Sequence, residues 1–521
     1  MVSDNKIWIA NNDKGDKIFL DPALANRHGL IAGATGTGKT VTVKVMAEAF
    51  SEMGVPVFLA DVKGDLSGIA VPGTDTPDMQ ERKERFGLSE AGFDYKGYPV
   101  TVWDVFGEKG IPLRTTVSEM GPLLLSRLLD LTDIQSDILS VLFRIADNEG
   151  QLIIDTKDLK AMLNHLSENN KEYEAEYGKM SPQSLSAIVR SVVAMETKGA
   201  DVFFGEPALN VMDFFTTDGE GKGMINILDS SSLVSNGMLY STFLLWMLSE
   251  LFEDLPEVGD MDKPKMVFFF DEAHLLFNDA PKVLTEKVEQ VVKLIRSKGV
   301  GVYFCTQNPK DIPDSVLSQL SNKVQHGLRA YTPADQKAVK AAAESYRVNP
   351  DFDTFDTILN LGIGEAVVSF LGEDGVPGMA EKVSILPPAS SFSALDEGRK
   401  GDIVRGSSLY KKYVDPVDRD SAYEFFLRRG EEEAKAREDA AIAKEEEKAA
   451  AKAEKEAARA AEKERNAKKR AVKSVGNSVA GTVGREMGKA AGSSFGKFGK
   501  TLGGNVGAAL GRGILSTLLK M

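Results

Sequence analysis

The sequence predicts an α/β fold in which helices cover a parallel β-sheet. Over about the first 390 of its 521 residues, short apolar runs alternate with helical stretches, which is the pattern of consecutive β-α-β units. One of these runs leads into a glycine-rich loop that an amphipathic stretch follows, and another run ends in two adjacent carboxylates. Both arrangements are typical of the carboxyl ends of strands in such a sheet, where ligands bind.

Eight short runs are candidate strands, and a long helical interval separates the third from the fourth. Residues 107–222 carry mainly helical signals, such as the three consecutive leucines at 123–125, and we interpret them as a helical insertion. Glu373, Asp374 and Gly375 predict the turn of a late hairpin. Residues 1–390 therefore form one predicted domain. The candidate strands are residues 30–32, 55–60, 100–105, 224–228, 267–270, 300–305, 324–328 and 366–371.

Three segments of unlike composition follow this domain. Residues 391–430 are expected to form a linker, and residues 431–470, almost wholly Ala, Glu, Lys and Arg, predict a solvated helix without the apolar seam of a coiled coil. Residues 471–521 carry seven Lys or Arg and one Glu. Their regular glycines suit either association with a membrane or with other copies of the chain, or a flexible tail, and the sequence leaves both open. These glycines are Gly484, Gly488, Gly492, Gly496, Gly499, Gly503, Gly507 and Gly511.

Composition restricts the class of protein and its compartment. A 42% hydrophobic content supports a large core, and the single cysteine, Cys305, excludes an internal disulfide and suits a reducing cytoplasm. Residues 1–10 lack the pattern of a secretory signal, and no run of about 18 apolar residues predicts a membrane span. The net charge of −14 lends no support to nucleic-acid binding by the protein as a whole. A DNA partner would need a local basic patch, such as the lining of a pore.

The glycine-rich loop has the G-x-x-x-x-G-K-T pattern of a phosphate loop and lies between a candidate strand and a candidate helix. Its glycines allow backbone N–H groups to surround phosphates, Lys39 supplies a point charge, and the Thr40 hydroxyl is placed to bind Mg²⁺. The positive end of the helix, which continues through Val41, faces the same anion. The sequence therefore predicts a nucleoside triphosphate site. Its residues are Gly33, Ala34, Thr35, Gly36, Thr37, Gly38, Lys39, Thr40 and Val41.

Five apolar residues at 266–270 lead directly to Asp271 and Glu272, the pattern of a Walker B strand. We expect Asp271 to bind the magnesium shell, directly or through water, and Glu272 to polarise the attacking water as a general base. Many GTPases and phosphate-loop kinases do not need the second carboxylate, whereas motor ATPases of the additional-strand class use it. The pair therefore predicts hydrolysis of the bound nucleotide.

Three further polar residues are candidates for the catalytic set. Gln307 follows the candidate strand 300–305 and is our choice to sense the γ-phosphate, with capping of the next turn as the alternative. Ring ATPases also need a cation from a neighbouring subunit. Arg296 at the end of a predicted helix 283–296, and Arg329 after the strand 324–328, are the candidates, although either could be an ordinary surface residue. His28 and His274 flank the two motifs, and a structural role is expected for both.

The two motifs, the Gln307 segment and a later strand that begins near Gly364 together resemble the HerA/FtsK superfamily of ring ATPases. The resemblance spans about residues 5–390 and is strongest to the bacterial HerA-like (YjgR-type) family, to which the phrases at 26–32 and 61–66 are similar. It implies a RecA-like core, ATP and Mg²⁺ as cofactors, a homo-hexamer, and translocation or unwinding of DNA without sequence specificity. Because the phosphate loop begins at Gly33, no room is expected for the N-terminal barrel of HerA, and a HerA-type role in end resection is not expected.

The sequence thus predicts an ATP-hydrolysing ring motor that acts on DNA as a translocase or helicase. One alternative keeps the ATPase but assigns it a protein substrate at a membrane, reached through the glycine-rich tail. A second alternative is a nucleotide-dependent scaffold without catalysis, against which the presence of Glu272 argues.

Overall fold

The computed structural model describes residues 2–3, 5–233, 237–277 and 282–474. Within them, all eight candidate strands are present, each within two residues of its predicted bounds. Five further strands were not predicted. The strands are β1 (Val2–Ser3), β2 (Lys6–Asn12), β3 (Lys17–Leu20), β4 (Gly29–Ala32), β5 (Val57–Asp61), β6 (Val100–Asp104), β7 (Ile111–Pro112), β8 (Ile225–Asp229), β9 (Met266–Phe270), β10 (Val300–Thr306), β11 (Asn322–His326), β12 (Glu365–Ser369) and β13 (Glu381–Ile385).

These strands form one mixed sheet in the order β1-β2-β13-β12-β11-β4-β10-β9-β5-β8-β6-β7, with β3 paired to β2. The eight strands from β11 to β7 run parallel, as predicted. The remaining strands pair antiparallel: the late hairpin was predicted, whereas β1, β2 and β3 were not. The hairpin β12–β13 includes the predicted turn, because Gly372 N–H donates to the Val376 carbonyl at 2.9 Å.

Helices cover both faces of the sheet. In chain order they are α1 (Lys39–Glu52), α2 (Pro77–Arg85), α3 (Val117–Leu128), α4 (Asp133–Glu149), α5 (Thr156–Glu168), α6 (Asn170–Tyr177), α7 (Pro182–Glu196), α8 (Ala200–Phe203), α9 (Gly237–Asp254), α10 (His274–Phe277), α11 (Lys282–Ile295), α12 (Asp314–Leu317), α13 (Pro333–Glu344), α14 (Thr354–Asn360), α15 (Glu397–Gly406), α16 (Tyr410–Tyr413) and α17 (Ala422–Ser474). None of the described helices is long and apolar enough to cross a membrane.

The sheet separates two apolar cores because successive strand residues point to opposite faces. In β4, Leu30 and Ala32 pack into one core, whereas Ile31 packs into the other. The first core contains α9 and the helices α3–α8 of residues 107–222, which were predicted as a helical insertion. The second core contains α1, which follows the phosphate loop. The loop is therefore fixed between two buried elements, β4 and α1.

Residues 391–430, which were expected to form a linker, belong instead to the compact unit of residues 1–430. Two buried charges of α1 bind the segment that precedes α15. Lys44 Nζ donates to the Ser391 carbonyl at 2.9 Å, and the Glu48 carboxylate accepts from the N–H groups of Ala389 and Ser390 at 2.8 and 3.1 Å.

Further along, Lys400 of α15 pairs with Asp229 at the end of β8, and both side chains are buried. A local composition rich in serine could not reveal these partners, because they lie more than 170 residues away in the chain.

Helix α17 extends over 53 residues, and its described part beyond residue 430 is exposed throughout. Residues 431–521 form a second unit by themselves. The glycine-rich segment from Gly484 to Gly511 lies outside the described residues, so its association with a membrane or with other copies stays a prediction.

Candidate functional site

The two predicted motifs meet at the carboxyl edge of the parallel strands. The order β9-β10-β4 places one strand, β10, between the strand that ends in Asp271 and the strand that leads into the phosphate loop. All three strands run parallel, so Gly33, Asp271 and Gln307 follow the same edge. The additional-strand arrangement predicted from the Asp271–Glu272 pair is confirmed.

Glycine is required at two turns of the phosphate loop. Gly38 has a φ of +120°, and Gly33 has a φ of +155°, values that side chains with a Cβ rarely adopt. A Cβ at Gly33 would also lie 2.5 Å from the Cβ of His326. The loop thus closes against β11, and its Ala34 N–H donates to the Gly327 carbonyl at 3.0 Å.

His326, the last residue of β11, packs against the phosphate loop and was not identified from the sequence. Its Nε2 lies 2.8 Å from the Thr42 hydroxyl of α1, and its Nδ1 lies 2.9 Å from the Glu365 carbonyl of β12. Burial lowers the pKa of His326 to about 4, with the charge of Lys39 acting in the same direction. The imidazole is therefore neutral at physiological pH and joins three elements around the loop without adding charge.

Lys39 begins α1 and points back into the loop. Its Nζ donates to the carbonyls of Gly33 at 2.5 Å and Ala34 at 3.3 Å. Burial lowers the pKa of Lys39, whereas the charge of Asp271 acts in the opposite direction. The two carbonyls thus hold the Lys39 ammonium at a poorly solvated position. Because a poorly solvated charge is unfavourable, this position favours binding of an anion.

A cavity of about 240 Å³ opens in front of the loop. It brings together Thr40 and Asp271, the two predicted magnesium ligands, and it also contains Lys63 and Asp65, which were not predicted. Burial raises the pKa of Asp271 to about 6, and the charge of Glu272 adds to this rise. The hydroxyl and the carboxylate are hard oxygen donors of the kind that Mg²⁺ binds. A divalent cation here would stabilise the charged form of Asp271, so these residues fit the predicted metal.

Glu272 lies where the chain leaves β9 and turns. Its φ of +48° is unusual for a residue with a side chain, and such backbone outliers cluster at functional sites. The carboxylate is 8% exposed and accepts a hydrogen bond from Gln307 Nε2 at 3.2 Å. His274 Nδ1 lies 3.3 Å from the other carboxylate oxygen. His274, expected to be structural, therefore contacts the predicted base directly.

Gln307 is joined to Glu272 and does not cap the next turn. That cap is made by Asn308, whose Oδ1 accepts from the Lys310 N–H at 3.1 Å at the start of the turn Pro309–Asp311. The Gln307 side chain is exposed, and its backbone follows β10, which pairs with β4 up to Thr306 and Ala32, the residue before the phosphate loop. The structure thus brings the predicted sensor to the predicted base.

Arg296 lies at the opposite edge of the sheet. Helix α11 ends at Ile295, one residue before the predicted end, and Arg296 occupies a short 3₁₀ turn before β10. It lines a second cavity, of about 290 Å³, together with Arg27, Lys293 and His28. Burial lowers the pKa of Arg296, and the charge of Arg27 adds to this effect. No spacing along the chain relates Arg27 to Arg296, because they come together only in the fold.

Arg329 lies at the carboxyl edge but not at a strand end, since β11 ends at His326, earlier than predicted. Its side chain is exposed, and Nη1 donates to the Leu359 carbonyl at 3.3 Å. His28 has the structural role expected for it, because its buried Nδ1 accepts from the Val302 N–H at 3.0 Å. Neither Arg296 nor Arg329 lines the cavity that contains Lys39.

A phosphate loop, a carboxylate-tipped strand and one strand between them define a P-loop NTPase of the additional-strand class. The chain belongs to the family described as helicase HerA-like C-terminal, whose model matches residues 6–503. The resemblance predicted from the motifs is confirmed.

Similar proteins include the DNA double-strand break repair helicase HerA of Sulfolobus acidocaldarius, which is 24% identical over 68% of this chain and 63% of that protein. HerA of Saccharolobus solfataricus is 23% identical over 66% and 61%. The chain therefore spans less than two thirds of the length of these relatives.

Solved structures similar to the chain include VirB4 of Thermoanaerobacter pseudethanolicus, with 16% identity over 74% of this chain and 97% of that chain and a TM-score of 0.49. The plasmid coupling protein TrwB in complex with ADP and Mg²⁺ has 16% identity over 72% and 88% and a TM-score of 0.47.

Proposed function

We propose that the protein is a Mg²⁺-dependent ATPase and acts as a ring motor on DNA, as a translocase or helicase of the HerA-like class. The observation that carries this proposal is the contact between Glu272 and Gln307 beside the phosphate loop. A nucleotide-dependent scaffold needs only the loop. A buried carboxylate held by an amide at the adjoining strand end is suited to activate water.

Each residue of the site has a distinct role in hydrolysis. Lys39 and the loop N–H groups bind the phosphates, and Thr40 with Asp271 would hold Mg²⁺, which neutralises charge on the phosphate oxygens when bound. Glu272 orients a water molecule and accepts its proton, and Gln307 keeps the Glu272 carboxylate in place and contacts the γ-phosphate. Because Gln307 directly follows β10 and contacts both the base and the γ-phosphate, loss of that phosphate would shift the end of β10. This shift would transmit the state of the nucleotide to the rest of the sheet.

The DNA substrate is supported by the family and by the names of the relatives, which are DNA repair helicases. The net charge of −14 argues that contacts with DNA are local and mainly to phosphates. Affinity for DNA is then expected to fall steeply with salt and to depend little on base sequence.

Adding DNA is expected to raise the rate of ATP hydrolysis by the full-length protein, and steady-state assays with single- and double-stranded DNA check this. The same DNA should leave the Glu272→Gln variant inactive, because its base is missing. Glu272-dependent hydrolysis that ignores DNA would contradict the proposal and favour a motor acting on protein. Nucleotide binding without hydrolysis in the wild type would favour a scaffold.

Arg296 is our proposed trans-acting cation in a homo-hexamer. It lies at the amino edge of β10, roughly 15 Å from its own phosphate loop across a strand such as β4, so it cannot reach its own nucleotide. Its cavity holds two further cationic side chains, those of Arg27 and Lys293, and this positive set suits the phosphates of a neighbouring subunit's nucleotide. Arg329 lines neither of these two cavities.

Mixed rings should reveal this trans action. Arg296→Ala and Lys39→Ala alone are each expected to hydrolyse ATP at least about tenfold more slowly. When the two variants are co-expressed in equal amounts, about a quarter of the subunit interfaces should be active. At these interfaces the intact phosphate loop of an Arg296→Ala subunit meets the intact Arg296 of a Lys39→Ala subunit. ATPase assays of the co-purified rings measure the recovery, and Arg329→Ala is the matched control, which should hydrolyse ATP at about the wild-type rate by itself. No recovery when Arg296→Ala is mixed with Lys39→Ala, or an inactive Arg329→Ala protein that recovers in such a mixture, would refute the assignment.

A further inference from the structure

Lys63 enters the nucleotide cavity from a loop that neither motif includes. The loop follows β5, which pairs directly with β9, so its residues lie at the same edge as Asp271. Lys63 lines the cavity together with Gly36, Lys39 and Asp271. A second lysine thus faces the space in which the phosphates of a nucleotide would lie.

The loop is held in a fixed shape by Asp61, which is 2% exposed at the end of β5. One Asp61 oxygen accepts from the Gly64 N–H at 2.8 Å, and the other accepts from the Leu66 N–H at 2.9 Å. Gly64 has a φ of +75°, which allows the sharp turn between them. Asp61 is therefore a positioning residue that presents Lys63 toward the cavity.

Among the described residues, none forms a hydrogen bond or a salt bridge with the ammonium of Lys63, and the side chain of Lys63 is exposed. Its charge nevertheless acts on both neighbours, lowering the pKa of Lys39 and opposing the raised pKa of Asp271. Two lysines that share one cavity repel each other unless an anion lies between them.

We propose that Lys63 binds the terminal phosphate of ATP as a second cation from the same subunit, so that it distinguishes ATP from ADP. This proposal rests on the proposed binding and hydrolysis of ATP. Lys39 lies inside the loop against the carbonyls of Gly33 and Ala34, whereas Lys63 approaches from the β5 side. The contact between Lys63 and the terminal phosphate would be lost when that phosphate leaves. The same ammonium would stabilise the negative charge that develops on the phosphate during hydrolysis.

Lys63→Met, which keeps the length and removes the charge, tests this in the full-length protein. Dissociation constants are measured with Mg²⁺ for a non-hydrolysable ATP analogue and for ADP. We expect about tenfold weaker binding of the analogue, equal to about 1.4 kcal/mol, and an ADP affinity within about twofold of the wild type. Lys63→Arg should retain most of the preference because it keeps the charge.

Lys109→Met is the matched control, since Lys109 follows β6 at the same edge of the sheet but does not line the cavity. It should bind both nucleotides as the wild type does. An unchanged ratio of the two affinities in Lys63→Met, or an equal loss for both nucleotides, would overturn the assignment. Failure of the wild type to bind either nucleotide would instead overturn the proposed function, so the two failures are distinguishable.

Discussion

Lys39→Ala is expected to bind ATP far more weakly and, as a result, to hydrolyse little of it. The substitution removes the point charge of the phosphate loop and leaves the loop backbone unchanged, because Gly33 and Gly38 set its shape. A charge-assisted hydrogen bond contributes about 3 kcal/mol at most, so affinity should fall by roughly 100-fold. Titration with a fluorescent ATP analogue measures this loss.

The Lys39→Ala variant should remain folded. Burial already disfavours the charged form of Lys39, and alanine suits the first turn of α1. Thermal unfolding should therefore show a midpoint no lower than that of the wild type. Lys310→Ala, at an exposed lysine beyond β10, is the control that should leave binding unchanged. Wild-type affinity in the Lys39→Ala protein would show that the loop does not hold the phosphates.

Glu272→Gln is expected to bind ATP normally but to hydrolyse it about 10³-fold more slowly. The amide has nearly the shape of the carboxylate and still offers an oxygen to Gln307 Nε2, so the contact at 3.2 Å can persist. It cannot accept the proton of the attacking water. Single-turnover hydrolysis and ATP binding, measured on the same preparation, separate the two effects.

The matched control is Glu108→Gln, at an exposed carboxylate that follows β6 at the same edge of the sheet. This control should hydrolyse ATP at the wild-type rate. If the Glu272→Gln protein also did so, Glu272 would not be the general base, and Asp65, the carboxylate of the cavity that was not predicted, would be the next candidate.

The parts of the site that were predicted from the sequence are those formed by consecutive residues. The phosphate loop and the Asp271–Glu272 pair each follow one strand, so a local pattern carries both the residues and their place at the strand end. Gln307 was accessible for the same reason, because it follows β10 directly.

The parts that were missed depend on contacts between distant segments. His326 supports the loop from 293 residues beyond Gly33 through Thr42 and Glu365. Lys63 and Arg27 lie close to the predicted residues only because β5 pairs with β9 and because the turn before β4 adjoins the one before β10. Likewise, β13 pairs with β2, and no local pattern relates these two distant segments.

The segment after β13 restricts how the ATPase can be shortened. A fragment that ends at residue 390 would retain Lys44 and Asp229 but lose the Ser391 carbonyl and the Lys400 ammonium that bind them. Lys44 would lose a carbonyl acceptor and Asp229 would lose its cation, and breaking a buried ion pair such as that of Asp229 costs about 3–5 kcal/mol. That is a large part of the stability of an ordinary domain. The smallest fragment suited to expression and crystallisation therefore extends to about residue 430, well beyond the last strand of the sheet.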